Sequence, residues 1–237
     1  MAQGWNAKWC EGVLEMNKLL WVAAVAVLSG AGFAGQAWSQ DAAPPAPAPA
    51  PDPFEQAMAA AKVADFGRRQ KDPQALIVAA RMLQEIPIAD RPGSAAPDGP
   101  PPAFSPAALF GEAKVLANGD KLLLMQINVA ESSGGKGVLS SAFGTGLVRI
   151  VQDMAARQVY AFAIKAKAGE VLRIGAIGDI KTQMLMRLRD RSGKVVCVDD
   201  NADYAPVCSV KPGAAADYKV EIVNHSNAPS RTVILSN

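Results

Sequence analysis

Histidine is almost missing from this chain: His225 is the only one among 237 residues. Without a second histidine the usual zinc ligand sets are poorly served, and a Ser-His-Asp triad would have to run through His225 alone. No G-x-S-x-G elbow accompanies it. Following Asn224 at a strand end, His225 reads as a residue of a solvated turn. Net charge is also small, at +2, which argues against nucleic acid or a membrane surface as partner. The longest apolar run falls short of the roughly 20 residues that a bilayer-spanning helix needs. Cysteine is scarce at three, and all four tryptophans (Trp5, Trp9, Trp21 and Trp38) lie in the first 39 residues.

Those 39 residues have their own pattern. Met16-Asn17-Lys18 opens a short basic segment, Leu19 to Leu28 is apolar, and Ala37-Trp38-Ser39 offers a small-residue cleavage site before Gln40. This is the three-part layout of a secretory signal peptide. Gly30, Gly32 and Gly35 interrupt the apolar stretch, so an uncleaved anchor is the weaker reading. No cysteine sits at the cleavage region, so a lipid anchor is not indicated. Residues 1–15 carry Glu11 and Glu15 and read as an upstream extension. We therefore expect a periplasmic or secreted bacterial protein with no membrane span in its mature form. Export leaves two cysteines, Cys197 and Cys208, and an oxidising compartment favours a disulfide between them. Two free thiols or a redox pair are the alternatives, and their spacing is far from C-x-x-C.

Residues 40–53 alternate Ala and Pro and form a semi-rigid linker. The pattern from 54 to 131 is helical. Asp52-Pro53 and Asp72-Pro73 read as an N-cap followed by proline at the first helical position. Leu76, Ile77, Ala80 and Leu83 share one face of the second helix. Ser105-Pro106 starts a third helix, Asn118-Gly119 ends it, and Asp120 caps a fourth. The two hairpins echo each other as a weak repeat. Between them, Pro87 to Pro106 reads as a long exposed loop. A Gly/Ser-rich connection, 132–146, ends the helical region.

The period then changes from 3.6 to 2. Eight short strands are predicted: Leu147–Val151, Val159–Ile164, Val171–Ala176, Met184–Asp190, Val195–Asp199, Pro206–Val210, Asp217–Asn224 and Arg231–Leu235. Turns at Ala168-Gly169, Gly178-Asp179, Ser192-Gly193 and Pro212-Gly213 separate them. The fold class is α+β: N-terminal helical hairpins followed by a C-terminal antiparallel β-sandwich of jelly-roll type.

Several landmarks recur in a known order. These are Gly178-Asp179, Asp190-x-x-Gly193, Asp199-Asp200, Cys208, Lys211-Pro212-Gly213, Tyr218-x-Val220-x-Ile222-x-Asn224 and the closing Leu235-Ser236-Asn237. Residues 147–237 thereby resemble the bacterial pre-peptidase C-terminal (PPC-like) domain family. The resemblance implies a β-sandwich and an extracytoplasmic location. The chain departs from the family pattern where an acidic D-L-D-L strand is replaced by Thr182-Gln183-Met184-Leu185-Met186, and no protease domain precedes the module.

Related modules sometimes bind calcium, and Asp199, Asp200 and Asp203 are the candidate ligands, with Asp179 and Asp190 as further carboxylates. Calcium needs six to eight oxygens, whereas Asp and Asn also fill β-turns by bonding local backbone. Cys197 and Cys208 flank the same loop on consecutive strands, where they are expected to face each other across one ladder. Ser133-Gly134-Gly135-Lys136 spells S-x-x-K but lacks its S-D-N and K-T-G companions, and Gly134-Gly135-Lys136-Gly137 lacks the Ser or Thr of a phosphate loop. Alternate cations at Arg187, Arg189 and Arg191, with Lys194, would suit an anionic glycan or lipid headgroup, although an exposed sheet face is ordinarily charged. With no catalytic constellation, no catalytic residue and no cofactor beyond calcium are assigned. The expected role is a non-enzymatic binding or accessory module for an envelope protein or polysaccharide. The alternatives are a helper subunit of a separate secreted hydrolase or protease, and a calcium-stabilised structural module.

Overall fold

The structure is a computed structural model that describes residues 52–91, 101–134, 146–201 and 203–237. The expected signal peptide, most of the Pro/Ala linker and most of the Gly/Ser-rich connection lie outside these residues.

Four helices open the fold: α1 (Pro53–Gln70), α2 (Pro73–Gln84), α3 (Pro106–Ala117) and α4 (Lys121–Ser133). Each starts where a short polar side chain satisfies otherwise unpaired amides of the first turn. Asp52 accepts from the backbone N–H of Phe54 at 2.9 Å, and Asp72 from Gln74 at 2.9 Å. Ser105 accepts from Ala108 at 3.3 Å, and Asp120 from Leu122 at 2.9 Å. Lys71 and Asn118 end α1 and α3 in the left-handed conformation. Both hairpins are thus cut by the same local chemistry. Arg68 of α1 ties the hairpins together, donating to both carboxylate oxygens of Glu112 on α3 at 2.8 Å and to the Ala103 carbonyl at 2.7 Å.

One element contradicts the expected loop. Ile88–Asp90 forms a short strand, β1, paired in parallel with β2 (Leu147–Met154). Three residues cannot display a period of two, and Ile88 pairs with the distant Leu147, so no local signal marks this strand. Asp90 and Arg149 lock the pair through two hydrogen bonds, at 2.7 and 3.0 Å.

The remaining strands are β3 (Val159–Ala166), β4 (Leu172–Ile177), β5 (Met184–Arg189), β6 (Val195–Asp199), β7 (Val207–Val210), β8 (Ala216–Asn224) and β9 (Ser230–Ser236). They form two sheets, β1-β2-β9-β4-β7 and β3-β8-β5-β6, antiparallel apart from β1. The expected α+β class and antiparallel sandwich are therefore observed.

Burial identifies three layers. Ile150, Ile174, Ala176 and Ile234 of the first sheet pack against Met184, Met186, Leu188, Val220 and Ile222 of the second. The opposite face of the first sheet presents Leu147, Ile177, Val233 and Leu235 to the helices, where they join Phe54, Met58, Leu76 and Leu109 in one core. The first sheet is buried on both faces, which is why Val233-Ile234-Leu235 is an unbroken apolar run instead of an alternating one. The helical layer comes close to the first sheet at Gly175: a Cβ there would come within 2.8 Å of Met58 Sδ and 3.3 Å of Phe54 Cζ. Of the sheet faces, the outer one of β3-β8-β5-β6 is left open to solvent.

Candidate functional site

The acidic residues singled out in the sequence are placed by local backbone chemistry. Asp190 Oδ1 accepts from the backbone N–H groups of Ser192 at 2.9 Å and Lys194 at 3.0 Å, and from the Ser192 hydroxyl. These bonds close the turn in which Gly193 takes a positive φ of 84°. The Ser192 hydroxyl above all, with the Lys194 and Ser192 amides, holds the Asp190 carboxyl below the usual carboxylate range. Asp179 Oδ2 accepts from the Arg231 amide at 2.7 Å. Asp199 uses Oδ1 for Asn201 and Oδ2 for the Val207 amide at 2.9 Å, while Asp203 Oδ1 accepts from Ala205 at 2.9 Å. Asp200 is exposed. The structure does not bring Asp199, Asp200 and Asp203 together as a ligand set: among the described residues no group of three or more His, Cys, Asp or Glu side chains is arranged to hold a metal. The Asp199 and Asp203 carboxylates are spent shaping the loop.

Cys197 and Cys208 are joined in a disulfide, with Cα atoms 5.8 Å apart. The bridge does not cross one ladder, as the consecutive strands suggest. β6 pairs only with β5 and β7 only with β4, so the cystine links the edge strand of one sheet to the edge strand of the other. The chain between them arches over the side of the sandwich instead of forming a hairpin.

That arch contains Tyr204, which no sequence pattern singles out. Its hydroxyl donates to the Ala61 carbonyl of α1. Burial, assisted by the neighbouring Asp65 charge, pushes its pKa well above the ordinary phenol value. This hydrogen bond straps Tyr204 of the sandwich to the helices. His225 is exposed, with one ring nitrogen 3.5 Å from Arg157. The Ser133 hydroxyl bonds to the Val129 and Ala130 carbonyls of its own helix, and Lys136 lies outside the described residues.

Two exposed surfaces remain. The first is α4. Leu122, Met125 and Val129 are 71%, 58% and 62% exposed, and Val115 at the end of α3 is 78% exposed. Spacings of three and four put the α4 residues in one stripe. Lys121, Leu124, Asn128 and Ser132 complete a shallow groove along it. The sequence marks α4 as a helix, and its four consecutive apolar residues, Leu122 to Met125, are the available signal: a helix packed on one side cannot bury all of them.

The second surface is the open face of the β3-β8-β5-β6 sheet. Arg187 and Arg189 point outward, alternating along β5 with the buried Met186 and Leu188. On β8, Glu221 accepts from Arg189 at 3.1 Å and Lys219 at 2.9 Å. Lys219 first and then Arg189 hold its carboxyl below the usual glutamate range. Asp217 bonds Arg191 and is likewise held low, with Lys165 contributing through charge alone.

The fold and this disposition of residues define a β-sandwich with an added helical layer. The sandwich resembles the pre-peptidase C-terminal domain of collagenase from Bacillus anthracis, at 13% identity and a TM-score of 0.29, over 37% of this chain and 84% of that one. It is similar, at 10% identity and a TM-score of 0.30, to PliG of Aeromonas hydrophila, a periplasmic inhibitor of g-type lysozyme, over 42% of this chain and 93% of that one. A further likeness, at 13% identity and a TM-score of 0.21, is to the capsular polysaccharide assembling protein CapF of Staphylococcus aureus, over 54% of this chain and 42% of that one. No protein-family description and no curated protein matches the sequence.

Proposed function

We propose that this chain is an exported, non-enzymatic binding module that engages a protein partner through the exposed face of α4. The observation that carries the reading is the stripe of Leu122, Met125 and Val129, held out to solvent on a helix whose other side is packed in the core. Isolated exposed apolar residues are ordinary, but several large ones aligned on a rigid element mark a surface that another surface covers. The helix is well anchored for that task. Ile127 and Ala130 are buried, Asp120 caps the start, and Lys114 of α3 pairs with Glu131 at 2.6 Å near the end. Export is supported by the signal-like segment before Gln40 and by the Cys197–Cys208 disulfide. A binding role in place of catalysis is supported by the candidate groups' engagement in structural bonds, Ser133 and Asp199 among them.

The test has two arms. Mass spectrometry of the protein recovered by osmotic shock should find a chain beginning at Gln40, and recovery of the full-length chain from the cytoplasm alone would sink the export reading. A photo-crosslinking residue at Met125 should give one discrete adduct in the exporting cell. That adduct should disappear when Leu122→Asp and Val129→Asp are introduced together. An adduct unaffected by those substitutions, or none at all, counts against α4 as the docking surface.

A further inference from the structure

The open sheet face carries four basic side chains (Lys165, Arg187, Arg189 and Lys219), joined by Arg191 of the adjoining turn, against two acidic ones, Asp217 and Glu221. Each acid is already engaged. Glu221 is shared by Lys219 and Arg189, and Asp217 is held by Arg191. Arg187 stands opposite Glu221 in register, yet among the described residues it makes no ion pair. The surplus is therefore positive, and it is ordered. Arg187 on β5, Lys219 on β8 and Lys165 on β3 are each displaced by one strand and two residues from the one before. Strand spacing of about 4.8 Å and a two-residue rise of about 6.7 Å separate successive members by about 8 Å at Cα. The diagonal ends beside Ala161 and Ala163, both exposed and too short to obstruct a molecule lying on the sheet.

We infer that this face binds an acidic polysaccharide, laid in extended form along the Arg187–Lys219–Lys165 diagonal. A regular row of cations on a flat rigid surface is complementary to a polymer with evenly spaced carboxylate or phosphate groups, and the Arg187 guanidinium can hold such a group bidentately. Other polyanions fit less well. The tyrosine and phenylalanine of β3, Tyr160 and Phe162, pack against the core, so among the described residues no ring on this face is available for stacking a nucleobase. The exposed apolar side chains Val159 and Val198 lie on β3 and on the edge strand β6 beside the charged track. The choice of a polysaccharide rests on the exported reading above, which brings the chain among envelope polymers; the charge pattern is independent of it.

The probe is polygalacturonate, titrated calorimetrically against the intact mature chain, with neutral dextran, single-stranded DNA and phosphatidylglycerol vesicles in parallel. Polygalacturonate should bind and dextran should not. Its affinity should weaken about tenfold between about 50 and about 250 mM salt, because exposed charges are screened over that range. Arg187→Glu with Lys219→Glu should lose at least about tenfold in affinity while keeping the wild-type circular dichroism. Should that pair disturb folding, Lys165→Glu, which breaks no hydrogen-bonded pair although Lys165 stands opposite Asp217, must still weaken binding. The inference is overturned if polygalacturonate binds no better than dextran, if the variants bind as tightly as wild type, or if DNA or vesicles bind while polygalacturonate does not. Leu122→Asp with Val129→Asp should leave polygalacturonate affinity unchanged, so failure of the α4 reading and failure of this one are told apart.

Discussion

Asn224 is fully buried, and every polar atom of its side chain is used. Its Nδ2 donates to the Ala155 carbonyl at 3.0 Å and to the Ala228 carbonyl at 2.8 Å, while Oδ1 accepts from the Ser226 amide at 3.1 Å and from the Ser226 hydroxyl. One amide thereby holds the turn after β8 against the turn before β3. An alanine would remove all four of these hydrogen bonds, each contributing about 0.5–1.5 kcal/mol, while the Ala155 and Ala228 carbonyls keep bonds from the Gln158 amide and the Ser226 hydroxyl. Asn224→Ala should lower stability by about 2–4 kcal/mol in urea titrations, and Asn224→Asp should cost nearly as much because a carboxylate cannot donate. In the sequence this residue is visible only as the last member of the Tyr218-x-Val220-x-Ile222-x-Asn224 alternation. Alternation gives its strand and its inward direction. The partners come from turns some 69 residues away in one case, and no local pattern specifies them. Arg187 is legible to the same degree: its outward parity follows from the strand, but its lack of a counterion depends on Lys219 and Arg189 both reaching Glu221.

At the scale of elements, the caps carry the most information. Asp52, Asp72, Ser105 and Asp120 each bond the amides that the sequence assigns to them, because N-capping is settled within three residues. The strands with turn residues on both sides are equally readable. β1 is not, since its pairing with β2 is long-range and its flanks are loop-like. The disulfide shows the same division. Compartment and cysteine count point to the pair, but which sheets it joins depends on how β6 and β7 turn away from each other. Its place between two sheet edges gives it a specific consequence. Closing a loop of 11 residues' separation removes conformational freedom from the unfolded chain, for roughly 3 kcal/mol. Cys197→Ala with Cys208→Ala should therefore lower stability in urea by about that amount, and the β6–β7 edge should be the first region to gain hydrogen-exchange rate. Uniform exchange across the sandwich would mean that the bridge constrains only the unfolded state. The helical layer, in turn, depends on close approach at one point. A valine at Gly175 must displace Met58 and the Phe54 ring, and Phe54 is fully buried, so it has nowhere to move. Overpacking of this kind typically costs about 1–3 kcal/mol. Gly175→Val should show that loss in urea titration together with faster amide exchange in α1. Faster exchange confined to β4 would mean that α1 adapts without loosening from the sheet. Nothing in the local sequence around Gly175 announces this contact, because an isolated glycine in a strand is equally compatible with a bulge.

At the scale of the whole molecule, ion pairs within each sheet and one between α1 and the first sheet supplement apolar packing, and this makes stability depend on pH with a definite sign. Asp90 is held below the usual aspartate range, chiefly by its hydrogen bonds from the Arg149 guanidinium. The same pair ties β1 to β2. For Asp52, burial acts upward, but the amides of Glu55 and Phe54 and the Arg173 guanidinium outweigh it, and the carboxyl is held low. Arg173 belongs to β4, so this pair, at 2.6 Å, fastens the start of α1 to the first sheet. Glu221, held low by Lys219 and Arg189, and Asp217, held low by Arg191, do the same within the second sheet. All four carboxyls release their protons more readily in the folded chain than in the unfolded one. Between the ordinary carboxylate range, near about pH 4, and the lower folded values, the unfolded chain therefore binds more protons. The stability contributed by these pairs is complete above that range and is lost as pH falls through the folded values. Urea midpoints measured from about pH 7 downward should stay level to about pH 5 and then fall steadily toward about pH 3. Arg173→Met should flatten part of that fall, because Asp52 then loses its partner while its capping amides remain. A wild-type midpoint that holds steady over the whole acid range would show that these pairs contribute nothing to stability.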